Sequence, residues 1–380
     1  MKNKQVIVYL GAFRFPNKDA AAKRVLGMGY ILRDLGYKVV YAGGETGDKF
    51  VKKHEDFEYY SQNELDTPAL RGFDKLKKFL TTGNNTVEWL NHFIKDQKIE
   101  KIIIYNSSGI FINKIKKFCK KNDIELIADI TEWYSSSHLP GGNFGPLGLD
   151  NLFKMNYIYR TVPKQIVISS YIEKFYKQNV SVIIPPLVLG NWEGINNIND
   201  RKKIIYVGSP GKKDNLELMV ESYLSQLDKF FNIDLYIAGI TEKEYTELYK
   251  KELLIQNKII FLGKINKEEV EELYRGASFS FFFRPNERYA NAGFPTKFVE
   301  SLSYGVPLIC NSTSDIKNYL ENGKNGFLVE DLTLFSIKKV LENVNNLSTS
   351  EIINMKKNAL VTSEIFCYKK FIDTMRAFLN

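Results

Sequence analysis

Short apolar runs alternating with amphipathic helical stretches, played through twice with one interruption, restrict this chain more than any other feature. Runs at 6–10, 39–42, 102–105, 124–128, 166–169 and 182–184 have the length and continuous hydrophobicity of parallel strands buried on both faces. Helical periodicity falls between them, at 20–35, 87–96, 110–121 and 171–177. Parallel neighbours need a crossover, so this order builds an α/β sheet with helices on both faces. Ile184-Pro-Pro-Leu-Val-Leu-Gly-Asn-Trp-Glu-Gly194 breaks the pattern and, with the polar stretch 196–200, reads as a linker. Alternation then resumes, with strands at 204–207, 235–238, 259–262, 279–283 and 308–310. Helices are expected near 216–227, 242–254 and 267–274, and a last helical stretch spans 362–379. A chain of 380 residues also exceeds one ordinary core. The expected fold is α/β, two Rossmann-like domains facing across a cleft. Residues 1–188 form the first and residues 189–361 the second, with a terminal helix at 362–380.

Chemistry concentrates in Arg284-Pro-Asn-Glu-Arg-Tyr-Ala-Asn-Ala-Gly-Phe-Pro-Thr-Lys-Phe-Val-Glu-Ser-Leu-Ser-Tyr-Gly-Val-Pro307. A polar loop leads through Gly293-Phe-Pro-Thr-Lys297 into a helix carrying Glu300. The amides of a helix N-terminus attract anions, and Lys297 adds a full positive charge beside them. Glu300, one turn further in, offers an acceptor for sugar hydroxyls. A phosphate seat and a ribose hook in one segment suit a nucleotide-sugar.

The stretch from Gly293 to Ile309 resembles the nucleotide-sugar motif of family-4 glycosyltransferases, the glycosyl transferases group 1, which are retaining enzymes with the GT-B fold. That motif has two glutamates eight positions apart. Glu300 matches the second, which binds ribose, while the first falls on Ala292. The resemblance makes Gly293, Phe294, Pro295, Thr296 and Glu300 donor-binding, and it implies that the terminal helix 362–380 packs back on the first domain. Ile204-Ile-Tyr-Val-Gly-Ser-Pro-Gly-Lys-Lys-Asp-Asn-Leu216 resembles the family's strand-Gly-Arg…Lys segment, which grips the donor diphosphate. It brings in Gly208, and Lys213 and Lys212 match the Lys; Ser209 stands at the Arg position, so Arg284 is expected to supply that charge. Asp214 reads as the cap of the following helix.

In the first half, Gly11-Ala-Phe-Arg-Phe-Pro-Asn17 is the loop that in the resembled fold approaches donor phosphate and acceptor, with Gly11, Arg14 and Asn17 as candidates. Arg24, on the next helix, fits that site or the helix surface. Asp129, Glu132 and Trp133 follow another strand, where Trp133 could stack on a sugar face and Asp129 could act in catalysis or cap a turn. His138 loosely matches a histidine of the relatives. Asn106-Ser-Ser-Gly109 suits a helix cap or the acceptor side.

Other classes fit poorly. No G-x-x-x-x-G-K-[ST] loop occurs, and Gly11 lacks the further glycines of a dinucleotide fingerprint. No Asp-x-Asp triplet offers a metal-chelating pair, so neither metal nor cofactor is expected. Three widely spaced cysteines and no run of eighteen apolar residues point to a cytoplasmic protein. The net charge of +9 gathers partly in Lys75, Lys77 and Lys78 and in Lys114, Lys116, Lys117, Lys120 and Lys121. Such faces are either solvated or rest on the anionic inner face of a membrane; no nucleic-acid motif accompanies them.

The expected reaction is transfer of a sugar, from a UDP-sugar, to a glycan, lipid-linked or protein acceptor with retained configuration, in bacterial surface glycan assembly. Lys213, Lys297 and Arg284 would stabilise the departing diphosphate. The alternatives are a nucleotide-sugar 2-epimerase-like enzyme and a catalytically degenerate GT-B binding subunit.

Overall fold

The computed structural model describes residues 5–16, 18–48, 50–65, 72–190, 201–211, 214–227, 232–251 and 259–380. The chain divides into two compact units, residues 1–187 with 368–380, and residues 188–367.

Among the described residues the first unit holds eight strands: β1 (Val6–Gly11), β2 (Lys38–Gly43), β3 (Lys52–His54), β4 (Phe57–Ser61), β5 (Ile99–Tyr105), β6 (Glu125–Ile130), β7 (Lys164–Val167) and β8 (Val180–Ile183). Their order is β3-β4-β2-β1-β5-β6-β7-β8, parallel except for the β3–β4 hairpin. Every residue of β1 is buried, which is why its sequence is an unbroken apolar run. The hairpin was not expected. Lys52-Lys-His54 is a polar edge strand turned by Glu55 at φ 50°, and polarity is how exposed edges avoid pairing with other chains.

Helix Ala20–Asp34 starts at Asp19, whose carboxylate accepts from the Ala22 amide at 2.7 Å. Helix Gly109–Asn122 starts at Ser108, which accepts from the Phe111 amide at 3.3 Å, so Asn106-Ser-Ser-Gly109 does serve as a helix start. The single terminal helix expected at 362–379 is broken. Helix Thr349–Ser363 ends, Phe366 buries between Tyr319 and Phe294 in the second unit, and a separate helix Ile372–Leu379 buries Met375 and Phe378 in the first.

The second unit holds β9 (Lys202–Val207), β10 (Ile233–Ala238), β11 (Ile259–Gly263), β12 (Phe279–Phe282), β13 (Leu308–Asn311) and β14 (Gly326–Val329). All pair in parallel in the order β11-β10-β9-β12-β13-β14. Counted from β9, that is 3-2-1-4-5-6, the order of dinucleotide-binding sheets, and it reverses between β9 and β12. Chains leaving two such strands part to opposite faces of the sheet and open a crevice at their carboxyl ends. Tyr206, Leu216, Met219 and Phe281 lie in the core below it.

The basic stretches are only partly free to meet an anionic surface. Lys114 Nζ donates to Leu80 O and Thr82 O, both at 2.9 Å, and to Asn84 Oδ1 at 2.7 Å, closing the carboxyl end of helix Gly72–Thr81. Lys78 Nζ is held by Asn63 O. Lys77, Lys117, Lys120 and Lys121 are exposed. Among the described residues no helix is long and apolar enough to cross a membrane.

Candidate functional site

In the second unit, side chains from four segments meet at the crevice between β9 and β12. Tyr206 lies on β9 with its hydroxyl on Asp214, eight residues further along; Arg284 follows β12, and Lys297 lies one residue into helix Thr296–Ser303. Lys297 Nζ donates to Asp214 Oδ2 at 2.5 Å and to the Tyr206 hydroxyl at 2.9 Å. That hydroxyl in turn donates to Asp214 Oδ2 at 2.7 Å, and the ammonium sits 4.0 Å from the centre of the Tyr206 ring. Arg284 Nε stands 3.6 Å from Asp214 Oδ1. Among the described residues neither of those two buried atoms has a hydrogen-bond partner. Buried polar atoms are nearly always satisfied in folded proteins, so unpaired ones at a sheet's carboxyl edge mark a place built for a ligand.

The electrostatics follow from this packing. Burial alone would raise the Asp214 carboxyl, but Lys297 and Arg284 outweigh it and hold it below its ordinary range. Burial lowers the Lys297 ammonium, with Asp214 pulling the other way. Burial first, and then the Asp214 charge, push the Tyr206 phenol far up, so it stays a proton donor.

Asp214 is therefore not the helix cap expected from the sequence. Helix Leu216–Leu224 begins after Asn215, and the carboxylate turns to cations 70 and 83 residues away. Sequence reasoning also missed Asn311. From the end of β13 its amide accepts from the Arg284 N–H at 2.9 Å and donates to the Arg284 carbonyl at 2.7 Å, fixing both backbone groups of that residue. No local pattern signals such a partnership.

Gly208 follows β9 at φ 139°, in backbone territory that side chains disfavour. A Cβ there would come within 2.7 Å of Lys297 Cε and 2.9 Å of Nζ. The glycine is the gap through which the lysine reaches Asp214. Gly208→Ala is expected to add about 1–3 kcal/mol of backbone strain and displace the ammonium. A lowered unfolding temperature, together with loss of the Lys297–Asp214 contact in a structure of the variant, would report both effects.

The other donor-side candidates divide. Glu300 is half-buried one turn beyond Lys297, and its charge reaches that lysine. Thr296 is exposed at the helix start, and Pro295 occupies the cap position. Gly293 is buried, and Phe294 is a core residue packed between Phe298 and Phe366 rather than a ligand contact. Ser209 is exposed. Lys212 and Lys213 lie outside the described residues.

In the first unit, Gly11 closes β1 at φ 135°, where a Cβ would strike the Tyr105 carbonyl at 2.2 Å. Arg14 is bound to Asp19 through its amide at 3.2 Å and its guanidinium at 3.4 Å. Asn17 lies outside the described residues. Asp129 is corrected from catalytic to structural. It is fully buried, with Arg24 Nη2 at 3.0 Å on one oxygen and Arg24 Nε at 3.3 Å and the Tyr9 hydroxyl at 2.5 Å on the other. Arg24, equally a site or a surface residue by sequence, is buried and also donates to Ile184 O and Pro185 O. Trp133 is likewise corrected: it is 5% exposed and packs on Phe175 with ring centres 4.4 Å apart, leaving no open face for a sugar. Glu132 is half-buried beside Tyr134, and His138 is exposed in the turn Ser136–His138.

Residues 191–360 match the family model of glycosyl transferases group 1. That match lies within the second unit and covers less than half of the chain. Around it, the whole chain follows the GT-B glycosyltransferase fold, an α/β fold of two parallel-dominated sheets. The sucrose-phosphate synthase of Thermosynechococcus elongatus is similar over 99% of this chain and 98% of its own, with a TM-score of 0.73 at 12% identity. Anabaena HepE, solved with UDP and glucose, is similar over 99% of both chains (TM-score 0.68, 12% identity). The lipopolysaccharide outer core galactosyltransferase WaaB is similar over 99% of both (TM-score 0.63, 15% identity). An uncharacterized glycosyltransferase of Methanocaldococcus jannaschii is 24% identical over 132 residues, 34% of this chain and 32% of that protein. The match thus spans about a third of that curated relative's length.

Proposed function

We propose that this chain is a group 1 glycosyltransferase that takes its sugar from a nucleoside-diphosphate sugar, a UDP-sugar by preference, and passes it with retained configuration to a glycan, lipid-linked or protein acceptor. The observation carrying this reading is the meeting of Lys297 and Arg284 at the β9–β12 crevice, with Glu300 one turn away. Both cations would face the diphosphate and Glu300 the ribose. The sugar's bond to the diphosphate oxygen breaks, the acceptor oxygen bonds the same carbon on the same face, and its proton passes to the leaving phosphate. Charge appears on the diphosphate as it departs, where fixed cations in a poorly solvated site are most effective. Neither a side-chain base nor a divalent ion is invoked.

On the acceptor side, Phe144, Leu149, Leu152, Phe153 and Tyr157 are all more than half exposed along one stretch of the first unit. With Lys117, Lys120 and Lys121 exposed on helix Gly109–Asn122, they support peripheral contact with an anionic bilayer and a lipid-linked acceptor in bacterial surface glycan assembly.

The test is transfer from a panel of UDP-, ADP- and GDP-sugars, with and without EDTA, beside calorimetry on Glu300→Ala. Glycoside product in EDTA and nucleotide affinity lowered at least about tenfold by Glu300→Ala are expected, the scale of a lost hydrogen bond to a charged group. Unchanged affinity would remove Glu300 from the site. One observation favours a second reading, a binding subunit without turnover. Ala292, where the family's first glutamate would stand, is fully buried. Nucleotide binding without any product from the panel would select that reading.

A further inference from the structure

Asp214 places an anion at the centre of a site that otherwise collects cations. Its Oδ2 engages Lys297 at 2.5 Å and Tyr206 at 2.7 Å, and its Oδ1 faces Arg284 Nε at 3.6 Å. The side chain is 8% exposed and caps no helix, so neither solvent contact nor local turn structure accounts for it. A carboxylate at this spot holds two cations in order, and it also repels any phosphate that approaches them. Both effects act on whatever ligand the crevice takes. We infer that Asp214 is a charge-selecting residue: it stands in for a phosphate on Lys297 and Arg284 until a diphosphate displaces it, and then disfavours ligands carrying one more negative charge.

This rests on the second unit being the nucleotide-sugar site. A sugar diphosphate ester carries about two negative charges near neutral pH. The free nucleoside diphosphate carries about three, because its terminal phosphate loses a second proton near pH 6. The extra charge lies on the phosphate nearest the reacting carbon, so a neighbouring carboxylate weighs against product more than donor. Asp214 would thereby let Lys297 assist the departing group without retaining it afterwards. In a site of low effective dielectric the difference persists at physiological salt.

Calorimetric titration of the full chain with UDP, ADP, GDP and their glucose esters tests this. Asp214→Asn keeps the shape and removes the charge. It is expected to tighten binding of the free diphosphate at least about tenfold, or about 1.4 kcal/mol, and by more than that of the matching sugar ester. Adding Lys297→Met should erase the gain. A folded Asp214→Asn protein that binds both ligands with unchanged, weaker or equally increased affinity overturns the inference while leaving the nucleotide site intact. Failure of wild type and variant alike to bind any of the six ligands overturns the nucleotide-sugar reading and the inference with it. Independently of the variant's folding, a wild-type structure with UDP should show Lys297 Nζ moved from Asp214 to a phosphate oxygen. Persistence of the 2.5 Å contact with the phosphates elsewhere would also overturn it.

Discussion

Lys297→Met is expected to lower kcat for sugar transfer by about 100-fold to 1,000-fold, the effect seen when one charge-stabilising donor is taken from a developing anion. The same change should unsettle the second unit, because Asp214 is left buried opposite Arg284 with, among the described residues, the Tyr206 hydroxyl as its remaining side-chain hydrogen bond. Stranding one member of a buried ion pair costs about 3–5 kcal/mol. The two effects separate in the double variant Lys297→Met with Asp214→Asn. Removing the orphaned charge should restore much of the unfolding temperature and none of the turnover. Thermal melts beside single-turnover kinetics make the comparison. If the double variant regained activity with its stability, Lys297 would be a packing residue and the phosphate role would be lost.

Arg24→Met should be the most damaging substitution in the first unit. It leaves Asp129 fully buried with Tyr9 alone, and it frees the carbonyls of Ile184 and Pro185 where β8 ends. The expected cost is again about 3–5 kcal/mol, a large share of the roughly 5–15 kcal/mol that holds a typical domain. A urea midpoint shifted by more than about 1 M, given the usual slopes for unfolding, would confirm it. Asp129→Leu placed in the Arg24→Met background should recover part of the loss, since apolar pairs of similar volume replace buried ion pairs well. A catalytic Asp129 would behave otherwise: Asp129→Asn would abolish transfer with the urea midpoint unmoved.

Strands such as β1 and β9 were legible because burial on both faces writes itself into consecutive residues, and a helix between two strands dictates parallel pairing. The hairpin β3–β4 and the four-residue β14 were not, since an edge strand carries polar residues and a short one carries too few to set a period. At the site, Lys297, Glu300 and Arg284 stood out because they lie within one motif. Asp214 and Asn311 did not, as each acts through a partner at least 27 positions away. Trp133 and Asp129 were misread for a related reason. A tryptophan and an aspartate after a strand look the same in sequence whether they face water or, as here, Phe175 and Arg24.

The Asn311 amide grips Arg284 by its main chain and leaves the guanidinium out of the bargain. The loop after β12 thus keeps its course whatever side chain residue 284 presents. Exchanging that side chain would alter the charge and reach offered beside Asp214 while the main-chain grip of Asn311 stays in place. Ligand preference at this crevice would then change through residue 284 alone, with Asn311 keeping the course of the loop.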